Sequence, residues 1–204
     1  PTRRSSDLRS ELIVTRRRIK LSISGHKLLK MKRDGLIIEF FELLPKVKDM
    51  RSQLVELYTV ADKKLAVAMV ADGKSALKSA ANCVRTPPQV ELSEYNIMGV
   101  VVPKIKVSTI QKSVEERGYG LIGTSVRIDE SVHAFEKLTE KVLEAAELET
   151  TMKKLLDEIE STKRRVNALE FKVIPQLEEV AAYITLRLEE LERENIFRLK
   201  RIKA

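Results

Sequence analysis

Apolar residues recur in two runs along this chain, one in each half. Within each run, steps of four and three residues alternate, so the apolar side chains form a narrow stripe on one side of a helix. A stripe of this width is typical of a helix that packs against one partner helix in a coiled coil. We predict that the coiled-coil seam consists of Leu36, Phe40, Leu43, Val47, Met50, Leu54, Leu57, Leu148, Met152, Leu155, Ile159, Val166, Leu169 and Val173.

The two runs mirror each other, which predicts that the chain folds back on itself. If Leu36 packs against Val173 and Phe40 against Leu169, the residue numbers of each pair add to 209 throughout the seam. In this register Lys32 faces Leu177, and both chain ends lie at the same tip. A shift by one heptad would keep the central layers in contact, so the register stays open. The pattern predicts a long antiparallel helical hairpin.

Helix signals define the two long segments. The first helix is expected to begin near Ser6–Asp7 and to end near Ala71, with a local kink at Pro45. The second is expected from about Asp129 to Arg201, with Pro175 as its only breaker. We therefore predict an all-α fold, in which residues 1–71 and 129–204 are the two long helices of the coiled coil and residues 72–128 form a small middle section.

The middle section has a different character. Asp72–Gly73 breaks the helical pattern, a short helix is expected at Ser75–Val84, and Thr86–Pro88 stops it. Two β-branched stretches around Pro103 predict a short β-hairpin, and a glycine-rich loop follows. We expect this section at the end of the helical hairpin opposite the termini.

Composition supports long helices over a wide globular core. Charged residues make up 33% of the 204 residues, aromatic residues only 4%, and tryptophan is absent. No apolar run is long enough to span a membrane, and the first residues lack the apolar region of a secretory signal. The single cysteine, Cys83, has no partner for an internal disulfide, which favours a cytosolic setting.

The formal net charge of +8 is concentrated at the two chain ends. In an antiparallel hairpin these ends share one tip, and a basic tip attracts an acidic surface of protein, nucleic acid or lipid. A solvated helix end is the alternative interpretation. Our hypothesis is that the tip faces a protein partner through Arg3, Arg9, Arg16, Arg17, Arg18, Arg193, Arg198, Lys200 and Arg201.

Motifs that resemble catalytic or cofactor sites do not meet their structural requirements. Gly118–Gly123 matches the letters of a dinucleotide-binding turn, but a polar stretch precedes it where that turn needs a buried strand. Asp72–Ser75 resembles the end of a phosphate-binding loop, but Ala68 replaces the glycine that such a loop requires. His26 and His133 belong to no ligand cluster. We expect a chain without catalytic residues, cofactor or metal.

Several stretches carry a resemblance to a known family. Residues 25–34, 162–170, 173–175, 188–194 and 197–203 closely resemble the D subunit of the A-type and V-type ATPases, in order and across both predicted helices. The middle section resembles the family only in character, and the sequence looks more like an archaeal member than a eukaryotic one. The chain is thus identified as a candidate member of that family.

The resemblance implies a non-catalytic rotor in the central stalk of an ATP synthase. It implies that the paired termini insert into the hexamer of catalytic and regulatory subunits, that the small F subunit of the stalk binds the lower part, and that the base sits in a funnel-shaped subunit above the proteolipid ring. The short hairpin is expected to influence ATPase activity. The complex would lie on the cytoplasmic face of the membrane, and rotation would couple ion flow to ATP synthesis or hydrolysis.

Two other functions remain compatible with the pattern. A basic coiled coil could bind nucleic acid, although few aromatic residues are available for base stacking. A helical scaffold of the prefoldin type also uses antiparallel hairpins. The sequence leaves open the coupling ion, the net direction of the reaction and whether the isolated chain is ordered.

Overall fold

The computed structural model describes residues 3–83, 90–107, 110, 117–119 and 124–203. In chain order its elements are α1 (Arg3–Cys83), β1 (Val90–Ile97), β2 (Val100–Val107), α2 (Val126–Ala168), a π-helical turn (Leu169–Val173) and α3 (Ile174–Lys203). Two long helical stretches and a small antiparallel hairpin confirm the predicted fold class.

The first helical stretch is interrupted where the sequence loses its apolar period. Gly73 has φ 81° and ψ 156°, values outside the helical region, so the helix changes direction there before continuing to Cys83. Glycine adopts a positive φ without the clash that a Cβ would cause. Pro45 lies inside the helix. The stop expected at Thr86–Pro88 lies outside the described residues.

The second helical stretch runs through a local widening just before Pro175. Leu169–Val173 form a π-helical turn, in which the Ile174 N–H donates to the Leu169 carbonyl five residues earlier. Proline has no N–H to donate and its ring crowds the preceding turn of an α-helix. A wider turn at this point accommodates Pro175 without ending the helix.

The hairpin has a tight two-residue turn. β1 and β2 pair in antiparallel register from Val90↔Val107 to Ile97↔Val100, which leaves Met98 and Gly99 between the strands. Both turn residues have positive φ, 49° at Met98 and 87° at Gly99. This is the signature of a type I′ turn, whose twist matches that of the paired strands. The Gly99 N–H donates to Asn96 Oδ1 at 2.7 Å, which stabilises the turn.

The hairpin lies alongside α2 rather than beyond its end. The Ile105 N–H donates to Glu147 Oε2 at 2.9 Å, and Lys154 Nζ donates to the Val101 carbonyl at 3.0 Å. Glu147 and Lys154 follow the start of α2 at Val126 by more than five helical turns. The expected position at the far end is therefore wrong, because the strands turn back and bind the helix.

The chain divides into two compact units. The first unit comprises residues 1–37 and 158–204, and the second comprises residues 38–157. In the first unit, ion pairs join Arg9 to Glu192 and Lys32 to Glu158, and His26 Nε2 lies 3.4 Å from Glu170 Oε2. The residue numbers of the partners fall along one segment as they rise along the other, so the two helical segments of this unit run antiparallel.

The second unit also joins its two helical segments. Arg51 of α1 pairs with Glu149 of α2 at 2.8 Å. Ala68 and Ala80 of α1 form a buried cluster with Tyr119 and with Ile128 of α2. The helical segments of this unit therefore run antiparallel as well, and its core continues into the residues that precede α2.

The register favoured from the sequence differs from the observed pairs. That register brings Lys32 to Leu177, whereas Lys32 Nζ bonds Glu158 Oε1 at 2.7 Å, more than five helical turns away from Leu177. In the second unit, Arg51 pairs with Glu149 and not with Glu158, its partner under the same rule. Heptads repeat every seven residues, so the apolar pattern alone selects no single alignment.

Candidate interaction surfaces

The predicted seam positions are covered from solvent to different degrees. Leu36 and Leu155 are fully buried, Val166 is 2% exposed and Val47 is 7% exposed. The remaining predicted positions are half-buried, and none of the predicted set is exposed. Which seam residue packs against which stays a prediction.

Small and polar residues share the buried stripe. Ala61 and Ala68 are fully buried, as is Thr162, and Thr151 is 1% exposed. The hydroxyls of Thr151 and Thr162 have no hydrogen-bond partner within the described part of the chain. A buried hydroxyl without a partner costs about 1–3 kcal/mol, so these positions contribute less to stability than apolar ones would.

The basic residues at the chain ends, all within the first unit, are mostly free to meet a partner. Arg16, Arg17 and Arg18 are exposed, and so are Arg193, Lys200 and Arg201. Two others are engaged: Arg9 Nη2 lies 2.9 Å from Glu192, and Arg198 lies 3.8 Å from Glu194. Arg3 belongs to α1, but its side chain lies outside the described part.

Large apolar side chains are exposed among these charges. Leu21 is 74% exposed, Phe197 67%, Leu199 66% and Ile202 82%. A surface that mixes exposed apolar residues with arginine is typical of protein contacts, whereas isolated exposed apolar residues carry no such meaning. The first unit thus carries a mixed basic and apolar surface, which we call the terminal surface (Leu12–Leu21 and Glu192–Ile202).

A buried polar network lies in the second unit, before and within the start of α2. The Arg117 side chain is 7% exposed, and its guanidinium lies 3.0 Å from Glu136 and 3.4 Å from Asp129. The Tyr119 hydroxyl donates to Asp129 Oδ1 at 2.6 Å. His133 also approaches Glu136, at 3.8 Å. Two carboxylates on one face of α2 therefore hold Arg117 and Tyr119.

The network changes the acidity of its members. Burial and the hydrogen bond to the Asp129 carboxylate raise the pKa of Tyr119 to about 12. Burial acts to lower the pKa of the Arg117 guanidinium, but its bonds with Tyr119 and Glu136 outweigh that effect and raise it. Arg117 is therefore a permanent cation, and Tyr119 is a neutral donor at physiological pH.

Gly118 lies between these two residues because nothing larger fits. Its φ is 82°, and a Cβ at this position would lie 2.8 Å from the Cys83 carbonyl oxygen. The glycine lets the chain pass close to the end of α1, and it directs Arg117 and Tyr119 toward α2. Its neighbours Gly120–Gly123 lie outside the described residues.

The sequence pattern does not predict this network. It indicates a polar stretch that leads into a glycine-rich loop, whereas Tyr119 is 8% exposed and belongs to the buried cluster. A signal was available: an arginine and an aromatic residue flank a glycine shortly before two acidic residues, Asp129 and Glu136, spaced seven apart on one helical face.

The motifs weighed for chemistry take structural positions. Gly73, in the stretch that resembles a phosphate-binding loop, forms the bend in α1. Within residues 3–83, 90–107, 117–119 and 124–203, no three His, Cys, Asp or Glu side chains are grouped to hold a metal ion. No helix in those ranges is both long and apolar enough to cross a membrane.

Comparison with known proteins adds the decisive observation. Residues 11–204 match the family model that describes the D subunit of ATP synthase. The chain belongs to the ATP synthase D-subunit family. The resemblance that the sequence carried is thereby confirmed, and the match covers the middle section as well as both helical stretches.

Three relatives illustrate the match, each named as the D subunit of an A-type ATP synthase. The chain is 60% identical to the protein of Methanococcoides burtonii over 195 residues, covering 96% of this chain and 95% of the relative. It is 57% identical to the protein of Methanosarcina mazei and 55% identical to that of Archaeoglobus fulgidus, each over 96% of this chain and 94% of the relative. All three organisms are archaea, which agrees with the stronger resemblance of this sequence to archaeal members of the family.

Proposed function

We propose that this chain is the central rotor shaft of an A-type ATP synthase. The observation that carries the proposal is the match, over nearly the full length, to proteins named as the D subunit of an A-type ATP synthase. In this role the chain itself catalyses no reaction. It transmits rotation between an ion-driven membrane ring and a hexamer that makes or hydrolyses ATP, on the cytoplasmic face of the membrane.

The pairing of helices supports a mechanical role. In each unit two helical segments run antiparallel and share a buried stripe, and each apolar side chain buried there contributes about 1.5–3 kcal/mol. Ion pairs such as Lys32–Glu158 and Arg51–Glu149 join the two segments at their flanks. Two helices held together in this way resist twisting better than either helix alone.

The terminal surface supports insertion into a protein partner. Exposed basic residues and exposed apolar side chains occur in both of its segments, and of its arginines only Arg198 forms an ion pair within the described part of the first unit. We propose that this surface contacts the catalytic and regulatory subunits of the hexamer. We further propose that the F subunit of the stalk and a funnel-shaped subunit above the proteolipid ring bind elsewhere on the chain.

Charge reversal tests the terminal surface. The triple variant Arg16→Glu, Arg17→Glu, Arg18→Glu should weaken assembly with the hexamer by at least about tenfold, and the loss should depend on salt because exposed charges are screened. Assembly can be measured by native gel or analytical ultracentrifugation. A matched control reverses Lys163, Arg164 and Arg165, three consecutive exposed basic residues of the same unit.

The triple variant at Arg16–Arg18 (the tip variant) and the control variant test different explanations. If the tip variant assembles as well as the parent at low salt, the terminal surface does not meet the hexamer. If the control variant loses assembly equally, total charge and not the tip is responsible. Reconstitution with the hexamer, followed by a rotation assay with and without this chain, tests the rotor role itself.

A further inference from the structure

The β-hairpin buries few of the side chains that the structure describes. Of its described side chains, only Val100 and Val102 are buried, at 9% and 0% exposure, while Ile97 is half-buried. These three residues share one face at the turn end of the hairpin, since Ile97 pairs with Val100. β1 is otherwise mostly exposed, with Leu92 73% and Tyr95 40% exposed.

Two side chains of α2 hold the backbone of β2. Glu147 Oε2 accepts from the Ile105 N–H at 2.9 Å, and Lys154 Nζ donates to the Val101 carbonyl at 3.0 Å. Glu147 and Lys154 are seven residues apart, so they lie on one face of α2 about 10 Å from each other along the axis. Ile105 and Val101 lie about 13 Å apart along an extended strand. The spacings of the helix and the strand are therefore close enough for both bonds to form together.

We propose that Glu147 and Lys154 form a clip that sets the position of the hairpin on α2, and that the hairpin detaches as an intact unit when the clip opens. The clip binds main-chain atoms, one acceptor for a strand N–H and one donor for a strand carbonyl. The eight paired positions of the hairpin do not involve α2, so the strands stay paired after detachment. Detachment exposes Val100 and Val102.

The two halves of the clip differ in strength. Glu147 is half-buried and Lys154 is exposed. A hydrogen bond to a charged group is stronger where water competes less, so Glu147 contributes more than Lys154. The inference concerns only contacts within the second unit, and it does not depend on the proposed rotor role.

Thiol labelling measures detachment directly. In a Cys83→Ser background, the full-length chain carrying Val102→Cys has its only thiol at a fully buried position, which reacts with a disulfide reagent only when the hairpin leaves α2. Adding Glu147→Ala should raise the labelling rate roughly tenfold, and adding Lys154→Met as well should raise it further. Glu147→Gln keeps a carbonyl acceptor and should give a smaller rise.

Matched controls separate detachment from general loosening. Glu144→Ala removes a neighbouring carboxylate of α2 that pairs with Lys141, and it should leave the rate unchanged. A thiol introduced by Ala145→Cys, at a buried position of α2, should label at the same slow rate with and without the clip. Helical content from circular dichroism verifies that each variant is folded.

Two results would overturn the proposal. One is an unchanged labelling rate at position 102 in the folded Glu147→Ala, Lys154→Met variant. The other is an equal rise at positions 102 and 145, which would show that α2 itself loosens. A rise confined to position 102 supports the clip.

Discussion

At the scale of single residues, the buried network around Arg117 joins residues 117–119 to α2. One guanidinium faces two carboxylates of α2, Asp129 and Glu136, and Tyr119 donates to the first of them. Each charged group depends on the others, because removing one leaves a buried charge without its counterion. The network therefore fixes residues 117–119 against α2.

Removing the cation should destabilise the chain strongly. Arg117→Met leaves the carboxylate of Glu136, 12% exposed, without its guanidinium partner, and we expect the free energy of unfolding to fall by about 3 kcal/mol. Urea unfolding followed by circular dichroism measures the change. Arg187→Met, which removes an exposed pair with Glu190, serves as control and should cause no measurable change. Equal stability of the two variants would contradict the role of Arg117.

Tyr119 should make the protein sensitive to alkaline pH. Its pKa is raised to about 12 in the folded chain, above the ordinary value of 10, so the proton is bound more tightly when folded. The resulting stabilisation is complete below pH 10 and disappears as the pH rises toward 12. A difference of about two pH units corresponds to roughly 2–3 kcal/mol.

Tyr119→Phe provides the comparison. The variant lacks the hydroxyl, so it should be less stable than the parent below pH 10 and should lose less stability between pH 10 and 12. Urea unfolding at a series of pH values measures both curves. Parallel curves over that range would show that Tyr119 titrates as it does in the unfolded chain.

At the scale of elements, the Met98–Gly99 turn between β1 and β2 carries backbone strain. Met98 has φ 49°, a region that a residue with a long side chain seldom adopts, and it is 48% exposed. Asparagine and glycine occupy this position of a type I′ turn most readily. The first position of this turn is therefore occupied by a residue type, methionine, that a type I′ turn does not favour.

Substitution in this turn should act in opposite directions at its two positions. Met98→Asn should stabilise the hairpin by about 0.5–1 kcal/mol, because asparagine tolerates a positive φ. Gly99→Ala, at φ 87°, should destabilise it by about 1 kcal/mol or more. Amide hydrogen exchange of β1 and β2 reports both effects. Slower exchange in the alanine variant than in the asparagine variant would refute the assignment of strain.

At the scale of the whole molecule, charge and exposed apolar surface occur together. The formal net charge is +8, yet Leu21 and Ile202 of the terminal surface are 74% and 82% exposed. Net charge opposes association, whereas exposed apolar side chains favour it. Raising the salt concentration screens only the first of these effects.

The isolated chain should consequently self-associate at high salt. We expect light scattering to give an average mass above the 23.2 kDa of one chain at micromolar concentration in about 0.5 M salt. The variant Leu21→Ser, Ile202→Ser should return toward 23.2 kDa, whereas Leu92→Ser, on the hairpin, serves as the control for an exposed leucine elsewhere. A parent chain that stays at 23.2 kDa would contradict this expectation.

The sequence predicts the parts of this fold that depend on local pattern. The heptad steps predict both helical stretches, and the β-branched residues around Pro103 predict the hairpin, because these signals act through nearest neighbours along an element. The family follows from stretches such as residues 25–34 and 188–194. Pro175 marks the place where the second stretch widens.

The remaining features depend on contacts between distant residues. The position of the hairpin is set by Glu147 and Lys154, which lie far along the chain from the strand residues they bind. The Arg117 network depends on the approach of Gly118 to Cys83. Neither contact can be predicted from the spacing of apolar and polar residues along the sequence. The surface that meets the hexamer is still a prediction, since residue type alone does not identify a partner.

The π-helical turn at Leu169–Val173 also has an evolutionary consequence. A turn bonded between residues five apart holds one residue more than an α-helical turn of the same rise, so it behaves as a single-residue insertion inside a continuous helix. A relative without a proline at the position of Pro175 can lose the extra residue of the π-helical turn. Its residues at the positions of Val166 and Ile184 would still face inward. Deletions of one residue among the relatives should therefore cluster between these two positions.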